Sequence, residues 1–148
     1  WEHIDNVHMI STSDCGNRFD IHPKNKQPIG IRMALSARQH VYEEAVQGDA
    51  PVAVEMKVQD KQICIRFDNA VSLHLEGQEL QELEIYTGEE KCEITGWSVN
   101  EDTLTVFIKE AIISNEITAV FAQTPYYQVS LFNENGLPAF PFILQKRI

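Results

Sequence analysis

Apolar and polar residues alternate along the chain from about position 52 almost to its end. The first run has apolar side chains at Val52, Val54, Met56 and Val58, and a period of two places successive side chains on opposite faces of a strand. Polar turns such as positions 59–61 separate the runs. The further sets are Ile63, Ile65 and Phe67; Val71, Leu73 and Leu75; Leu83 and Ile85; Leu104, Val106 and Ile108; and Ile117, Ala119 and Phe121. The pattern predicts an antiparallel β-sandwich of about seven or eight short strands at positions 49–148.

The beginning of the chain follows a different pattern. Positions 7–13 form a short β-prone run that ends in the loop-forming residues of positions 14–17. Apolar residues then recur every three or four positions, which is the spacing of a helix. Pro28 suits the first turn of that helix, and Gly48 suits its end. We therefore predict a strand, a loop and a helix that runs from Pro28 to about Val46.

One strand and one helix cannot bury a core of their own. We expect positions 1–48 to be the C-terminal end of an α/β domain, so the fold class is mixed: an α/β remnant followed by the accessory sandwich of positions 49–148. Gly30, Ala34 and Ala37 form a stripe of small residues, which would let the helix lie close to a neighbouring sheet. The chain also begins without methionine, so we expect it to be a piece of a longer protein.

The composition restricts the class of partner. Twelve Lys and Arg against 22 Asp and Glu give a formal net charge of -10, which repels the phosphates of nucleic acids and of anionic membranes. No apolar run reaches the ~18 residues of a membrane span. The cysteines and histidines lack the spacing of a metal site. We expect no nucleic acid, membrane or metal partner. Cys64 and Cys92 lie in strand-like runs and could pair if those strands are neighbours.

The strongest chemical candidate is His22. A histidine side chain titrates near neutrality and can act as a general base when an acceptor fixes its second nitrogen. Asp14 and Asp20 are both close enough in sequence to be that acceptor. A loop between a strand and a helix is also where α/β enzymes place catalytic groups. The alternative is a histidine that only hydrogen-bonds within its loop.

Two separated motifs resemble the sialate O-acetylesterase family of SGNH-type hydrolases. The first contains Asp14, the run DIHPKNKQ at positions 20–27, and Arg32 in the following helix. The second contains Asn133 and the run GLPAFPF at positions 136–142. Both occur in the order of the family's closing blocks, and together they cover almost the whole chain. The resemblance implies the C-terminal part of an SGNH hydrolase domain, followed by its appended β-domain.

The reaction implied by this resemblance is the hydrolysis of O-acetyl esters on sugars or sialic acid. A serine attacks the acetyl carbonyl, assisted by a histidine and an acidic residue, and no cofactor takes part. His22 matches the family's catalytic histidine. The wider SGNH pattern has an aspartate three positions before the histidine, where this chain has Phe19. Asp20 and Asp14 therefore remain equal candidates for the acid.

The nucleophile is expected to lie outside this chain. In the family, the catalytic serine and the oxyanion-hole residues precede the segment that this chain resembles, and no serine here has the required Gly-rich turn. We predict that the chain alone is inactive and that it works with the N-terminal SGNH portion of the same parent protein. A two-chain enzyme, in which the nucleophile is on a separate polypeptide, is a further possibility.

Other residues are weaker candidates for binding. Arg18 and Lys24 flank the loop and could contact a substrate carboxylate, although exposed basic residues are usually only solvated. Trp97, Tyr126 and Tyr127 could form an aromatic platform for a sugar, but aromatic residues more often pack in cores and interfaces. The alternative function is a non-catalytic carbohydrate-binding or protein-interaction module. The family suggests a secreted, periplasmic or lysosomal location, which the chain itself does not determine.

Overall fold

The computed structural model describes residues 4–20, 22–77, 79–112, 114–126 and 128–148. These residues contain one helix and ten strands. The elements are α1 Gln27–His40, β1 Val52–Gln59, β2 Gln62–Asp68, β3 His74–Leu75, β4 Leu83–Thr87, β5 Glu90–Lys91, β6 Ile94–Asn100, β7 Thr103–Ile108, β8 Glu116–Phe121, β9 Leu131–Phe132 and β10 Phe142–Arg147. None of the helices described is long and apolar enough to cross a membrane.

The strands form two four-stranded antiparallel sheets, in the orders β1-β2-β7-β6 and β10-β8-β4-β5, and a two-stranded ribbon of β3 and β9. Ile65 and Leu104 from the first sheet and Ile85 and Ile117 from the second are fully buried in one shared core. Along β7 and β8 buried side chains alternate with partly exposed ones, as the sequence pattern requires. The predicted antiparallel β-rich fold is therefore confirmed.

Two of the predicted strands differ in detail. A β-bulge just before Glu55 shifts the register of β1 against β2 and leaves Val54 exposed, although the alternation placed it with the buried residues. The run around Val71 shrinks to the two-residue β3. Val71 is exposed, and its backbone N–H donates to Glu134 Oε2 at 3.1 Å instead of to a neighbouring strand. A side-chain acceptor has thus replaced the sheet partner at this point.

The helix is shorter than predicted, because α1 ends at His40 and not near Val46. Glu43 has a positive φ of 55°, a left-handed conformation that cannot continue a helix. Side chains of the last turn also bond to the chain beyond it: His40 Nε2 lies 2.8 Å from Asp49 Oδ1, and Gln39 Nε2 donates to Asp49 Oδ2 at 3.0 Å. The tertiary contacts with Asp49 therefore set the C-terminal end of α1, although the spacing of apolar residues continues beyond it.

The N-terminal segment, residues 4–20 and 22–48, contains α1 and no described strand. The strand predicted at positions 7–13 is therefore wrong. A strand needs a partner for its backbone groups, and none of the described segments pairs with this run. The apolar core extends only from Met56 to Phe142. The buried residues of the N-terminal segment are polar or small, namely Ser11, Arg32, Ser36 and Gly48.

The face that α1 turns toward the rest of the protein is also not the predicted one. Gly30 and Ala34, two members of the small-residue stripe, are exposed, and no atom lies within 4 Å of where a Gly30 Cβ would be. Arg32 and Ser36 are buried instead. The small residues did not decide the packing, because the buried face is held by the polar contacts of Arg32.

The end of the N-terminal segment packs closely on α1, and Asp49, the residue that follows it, is joined to the sandwich by a hydrogen bond from a buried side chain. A Cβ on Gly48 would lie 2.5 Å from the Leu35 carbonyl oxygen, so only glycine allows this approach to α1. Asn133 is fully buried, and its Nδ2 donates to the carbonyls of Asp49 at 3.2 Å and Asn69 at 2.9 Å. Its Oδ1 accepts the Leu137 N–H at 3.0 Å. The Asn133 and GLPAFPF motif therefore forms the junction.

Candidate functional site

His22 and Asp20 meet in the loop before α1. His22 Nδ1 lies 3.1 Å from Asp20 Oδ1, and the same oxygen accepts a hydrogen bond from the His22 backbone N–H at 2.9 Å. Asp20 therefore orients both the loop backbone and the imidazole ring. With the proton on Nδ1, the second nitrogen Nε2 is left unprotonated, which is the form that a general base needs. The side chain of His22 is 83% exposed and that of Asp20 is 45% exposed.

Short polar side chains shape the His22 loop, residues 14–20 and 22–26. Asn17 Oδ1 accepts the backbone N–H groups of Phe19 and Asp20, both at 2.9 Å, and Asn25 Oδ1 accepts that of Gln27 at 3.0 Å. Asparagine favours turns because its side chain can satisfy nearby backbone donors in this way. Phe19 is 94% exposed. Local hydrogen bonds, rather than burial, hold the histidine in place.

The second aspartate is part of a different contact. The Arg32 guanidinium forms a bidentate ion pair with Asp14, with a nitrogen–oxygen distance of 2.6 Å to each oxygen. Arg32 Nη1 also donates to the Ser11 carbonyl at 2.9 Å, and Nη2 donates to the Gly136 carbonyl at 3.4 Å. The side chain of Arg32 is 6% exposed and that of Asp14 is 26% exposed. Arg32 thus connects α1, the start of the His22 loop and the β9–β10 connection.

The ionisation of this cluster follows from its contacts. Burial raises the pKa of Asp14, but the hydrogen bonds and the charge of Arg32 lower it by more, so its net pKa lies below the ordinary value. The hydrogen bonds that Arg32 donates to Asp14 raise the pKa of Arg32. Burial, followed by the charge of Asp14, raises the pKa of the Cys15 thiol, which disfavours a nucleophilic thiolate. Asp14 therefore stays an anion whose two oxygens are bound to Arg32, whereas Asp20 contacts His22.

None of the hydrogen bonds among the described residues joins a serine to His22. Ser11 Oγ and Ser13 Oγ lie 3.2 Å apart and contact each other. Ser130 Oγ accepts the Gln81 backbone N–H at 3.2 Å, which fixes a loop of the sandwich. These hydroxyls serve local structure. A nucleophile outside this chain remains a prediction.

An open groove lies between the His22 loop and the sandwich. It consists of two cavities of about 510 Å³ and 620 Å³, which share three lining residues. Arg18 lines the second cavity, so one of the two basic candidates faces the groove, whereas Lys24 is exposed on the loop. The shared residues are Gln81, Tyr126 and Gln128. Asp14 and Ser13 line the first cavity, so the groove begins at the loop that carries His22.

Of the two aromatic candidates that the structure describes, Tyr126 lines the groove and Trp97 does not. Trp97 is partly buried and packs against the sandwich core, as the packing interpretation expects. Tyr126 is 40% exposed and lines the groove. Tyr127 lies outside the described residues.

The three cysteines, His8 and His40 contribute to local structure. Cys15, Cys64 and Cys92 are all free, so Cys64 and Cys92 do not form the disulfide that their strand-like runs allowed. The rings of His8 and His40 stack with centroids 3.7 Å apart, and His40 bonds to Asp49. Within the described part of the chain, no group of three or more His, Cys, Asp or Glu residues is arranged to hold a metal ion.

The chain was compared with known proteins. It matches no protein-family model, and no curated protein matches it. Its structure is similar to the crystal structure of a novel carbohydrate acetylesterase from Xanthomonas citri, with a TM-score of 0.76 and 26% sequence identity. The match covers 88% of this chain but only 31% of that protein. The likeness is thus to a carbohydrate esterase, and it does not single out sialate esters.

Two features of the site were not predicted from the sequence. Arg32 belonged to the first motif but had no assigned partner, and its bond to Asp14 joins positions 18 residues apart. Arg32 and Ser36 are four residues apart, a spacing that places two polar side chains on one face of the helix, and this was the only local signal. The groove could not be predicted, because loops that are distant in sequence form it.

Proposed function

We propose that this chain is the base-bearing C-terminal portion of a carbohydrate O-acetylesterase. His22 acts as the general base, Asp20 orients it, and a serine in the N-terminal portion of the parent protein is the nucleophile. The observation that carries the proposal is the contact between Asp20 Oδ1 and His22 Nδ1, on a histidine side chain that is 83% exposed, in a chain similar to a carbohydrate acetylesterase. The chain spans 31% of that neighbour, so the activity of the whole protein is itself part of the proposal.

In the proposed reaction, the serine oxygen attacks the acetyl carbonyl while His22 Nε2 takes the hydroxyl proton. The tetrahedral intermediate collapses as Nε2 gives that proton to the departing sugar oxygen, which leaves an acetyl-serine. Water then attacks the acetyl group as Nε2 takes one of its protons. The second tetrahedral intermediate collapses as Nε2 gives that proton to the serine oxygen, so that acetic acid leaves and ionises to acetate. Asp20 stabilises the imidazolium that forms in each half of the reaction by accepting the Nδ1–H.

Between the two acid candidates, the geometry favours Asp20. Both oxygens of Asp14 already accept hydrogen bonds from the buried Arg32, and moving Asp14 to His22 would leave the guanidinium charge unpaired. Asp20 is two residues before His22 and already lies within hydrogen-bond distance. We therefore assign Asp14 a structural role and Asp20 the catalytic one.

The exposed apolar side chains of the N-terminal segment support the proposal that a further part of the parent protein covers it. Phe19, Met33, Val41 and Tyr42 are all exposed on this segment, although such side chains are normally buried. Phe19 is next to Asp20, so the exposed ring adjoins the proposed catalytic pair. We propose that the nucleophile-bearing portion of the parent protein covers these side chains and brings its serine to Nε2.

The test is hydrolysis of 4-nitrophenyl acetate and of O-acetylated oligosaccharides by the complete parent protein. We expect His22→Ala to reduce kcat by a factor of about 10² to 10⁴, and Asp20→Ala to reduce it nearly as much. His22 and Asp20 are exposed, so the thermal stability of both variants should match the unsubstituted protein. Lys26→Ala, at an exposed position of the same loop whose side chain makes no capping hydrogen bond, is the matched control and should retain activity.

Three results would contradict the proposal. Full activity in both Asp20→Ala and Asp14→Asn would show that the acid comes from elsewhere. Hydrolysis by the 148-residue chain alone, lost on His22→Ala, would show that the chain contains its own nucleophile. A complete parent protein without any esterase activity would favour the non-catalytic carbohydrate-binding alternative.

A further inference from the structure

The groove beside the His22 loop has three walls that come from separate parts of the chain. Ser13 and Asp14 form one wall, the β3–β4 connection forms the second, and the β8–β9 connection forms the third. The second and third walls are bonded to each other, because the Glu76 backbone N–H donates to the Ser130 carbonyl at 2.8 Å and Ser130 Oγ accepts the Gln81 N–H. Two of the three walls are thus fixed relative to each other by hydrogen bonds within the sandwich.

The exposed side chains of this groove are those that suit a sugar. Tyr126 offers a partly exposed ring against which a pyranose face can pack. Gln81 and Gln128 offer amides that both donate and accept hydrogen bonds, and Glu79 offers a carboxylate acceptor. Gln81 Nε2 already donates to Glu79 Oε2 at 3.3 Å, so donors and acceptors lie side by side, as adjacent sugar hydroxyls require. Besides Tyr126, the larger apolar side chains among the described lining residues are Pro125 and Val129.

The charge of the groove selects between classes of sugar. Glu76 and Glu79 line the first cavity and Glu82 lines the second, whereas Arg18 is the cation among the described lining residues. Asp14 adds little to this field because Arg32 neutralises it. An excess of carboxylates repels an anionic ligand such as a sialate or a uronate. A neutral sugar is not repelled.

We propose that this groove is a binding subsite for the neutral pyranose units of an oligosaccharide. The link between this subsite and catalysis rests on the proposed function. The two sites are adjacent in the chain, because the loop that carries His22 continues directly from the groove wall at Asp14. When an O-acetylated unit lies at His22, neighbouring units of the same glycan lie along the groove. The sandwich thereby contributes to the choice of a neutral polymeric substrate.

The subsite is tested with the 148-residue chain itself, by titration with cellohexaose, xylohexaose and mannohexaose and observation of the backbone amides by NMR. We expect at least one neutral hexasaccharide to bind with a Kd of about 1 mM or tighter and to shift amides of the β3–β4 and β8–β9 connections. Sialyllactose should bind at least about tenfold more weakly. Glu76→Gln combined with Glu79→Gln should reduce this difference.

Tyr126→Ala should weaken binding of the neutral hexasaccharide by about tenfold, because it removes the exposed ring. Gln128→Ala is a second variant, and amides outside the groove report whether either variant remains folded. Tyr42→Ala is the matched control, since Tyr42 is an exposed tyrosine of the N-terminal segment that does not line the groove. Its affinity should be unchanged.

The proposal is overturned if none of the three neutral hexasaccharides shifts the groove amides at about 10 mM, if sialyllactose binds more tightly than they do, or if Tyr42→Ala weakens binding as much as Tyr126→Ala. Because no hydrolysis is measured, the result is independent of the proposed catalysis. Glycan binding without esterase activity in the parent protein would refute only the proposed function. Esterase activity without glycan binding would refute only the subsite.

Discussion

The N-terminal segment and the sandwich are stabilised by opposite means. The sandwich buries aliphatic and aromatic side chains between two sheets, whereas the N-terminal segment buries Arg32 and Ser36 and exposes Phe19, Val41 and Tyr42. Apolar burial is non-directional and tolerates many local geometries, but a buried guanidinium needs its partners at fixed positions. The sandwich can therefore hold its own structure, while the segment depends on a few directional bonds and retains a surface suited to a further contact.

The largest expected effect is in the sandwich core. Phe67→Ala should lower the free energy of unfolding by about 4 kcal/mol, because it leaves a cavity between the two sheets. Urea unfolding followed by circular dichroism measures this change. Val71→Ala, at an exposed position four residues later, should change the free energy by less than about 0.5 kcal/mol. Equal effects of the two substitutions would contradict the assignment of the core.

A slightly smaller effect is expected where the segment is anchored. Asp14→Ala leaves the buried Arg32 charge unpaired and should lower the free energy of opening of α1 by about 3 kcal/mol. Hydrogen exchange of the α1 amides measures this opening, and the amides of β7 should keep their protection. Glu44→Ala is the control, since it breaks the exposed Arg38–Glu44 pair and should cost less than about 1 kcal/mol. If α1 keeps its protection in Asp14→Ala, the ion pair does not anchor the segment.

The junction between the two regions should respond to Asn133→Ala. The substitution removes the buried amide that bonds to the backbone of Asp49, Asn69 and Leu137, and should cost about 2 kcal/mol. Exchange should increase both in α1 and in the β9–β10 connection. Asn135→Ala removes only an exposed side-chain bond to Gln47 and should cost about 0.5 kcal/mol. An effect of Asn133→Ala confined to one region would show that the amide does not link them.

The smallest effect is the pH dependence of the stability that the Asp14–Arg32 ion pair gives to α1. The pKa of Asp14 is lower in the folded protein than its ordinary value of about 3.8, so the unfolded state takes up the proton first as the pH falls. The stability from this carboxylate is fully present above that ordinary value and is lost as the pH falls through the lowered pKa. We expect the difference in α1 protection between the natural chain and Asp14→Asn to shrink below about pH 4.

Hydrogen exchange, corrected for its intrinsic pH dependence, measures this difference. A difference that persists unchanged to about pH 2 would contradict the assignment to the Asp14 carboxylate. The β7 amides serve as an internal control, because Asp14 contacts α1 and not the sandwich core.

The predictions from sequence succeeded where the local pattern and the tertiary environment agree. Alternation at Leu104, Val106 and Ile108 predicted a strand with one buried face, and all three side chains are buried. The same rule misplaced Val54, because a bulge adds an unpaired residue without changing the composition of the strand. The prediction that the helix continues to Val46 failed for a similar reason. The hydrogen bonds from Gln39 and His40 to Asp49 are tertiary contacts, which the spacing of apolar residues does not indicate.

The candidate site divides in the same way. His22 was identified from its loop and its motif, and Asp20 is close enough in sequence for a contact on that basis alone. The role of Asp14 was open, because no local pattern indicates that its carboxylate will form an ion pair with Arg32, which is 18 residues later in the chain. Asp20 contacts His22, whereas Asp14 is held by Arg32.

The sequence by itself determined the antiparallel sandwich, the loop that carries His22 and the absence of a Gly-rich serine turn, because each depends on neighbours along the chain. Only the tertiary structure decided that Arg32 pairs with Asp14, that Gly30 and Ala34 of the small-residue stripe stay exposed, and that a groove lies beside the His22 loop. These features arise from residues far apart in sequence, and the free energy of bringing them together depends on the packing of the whole molecule.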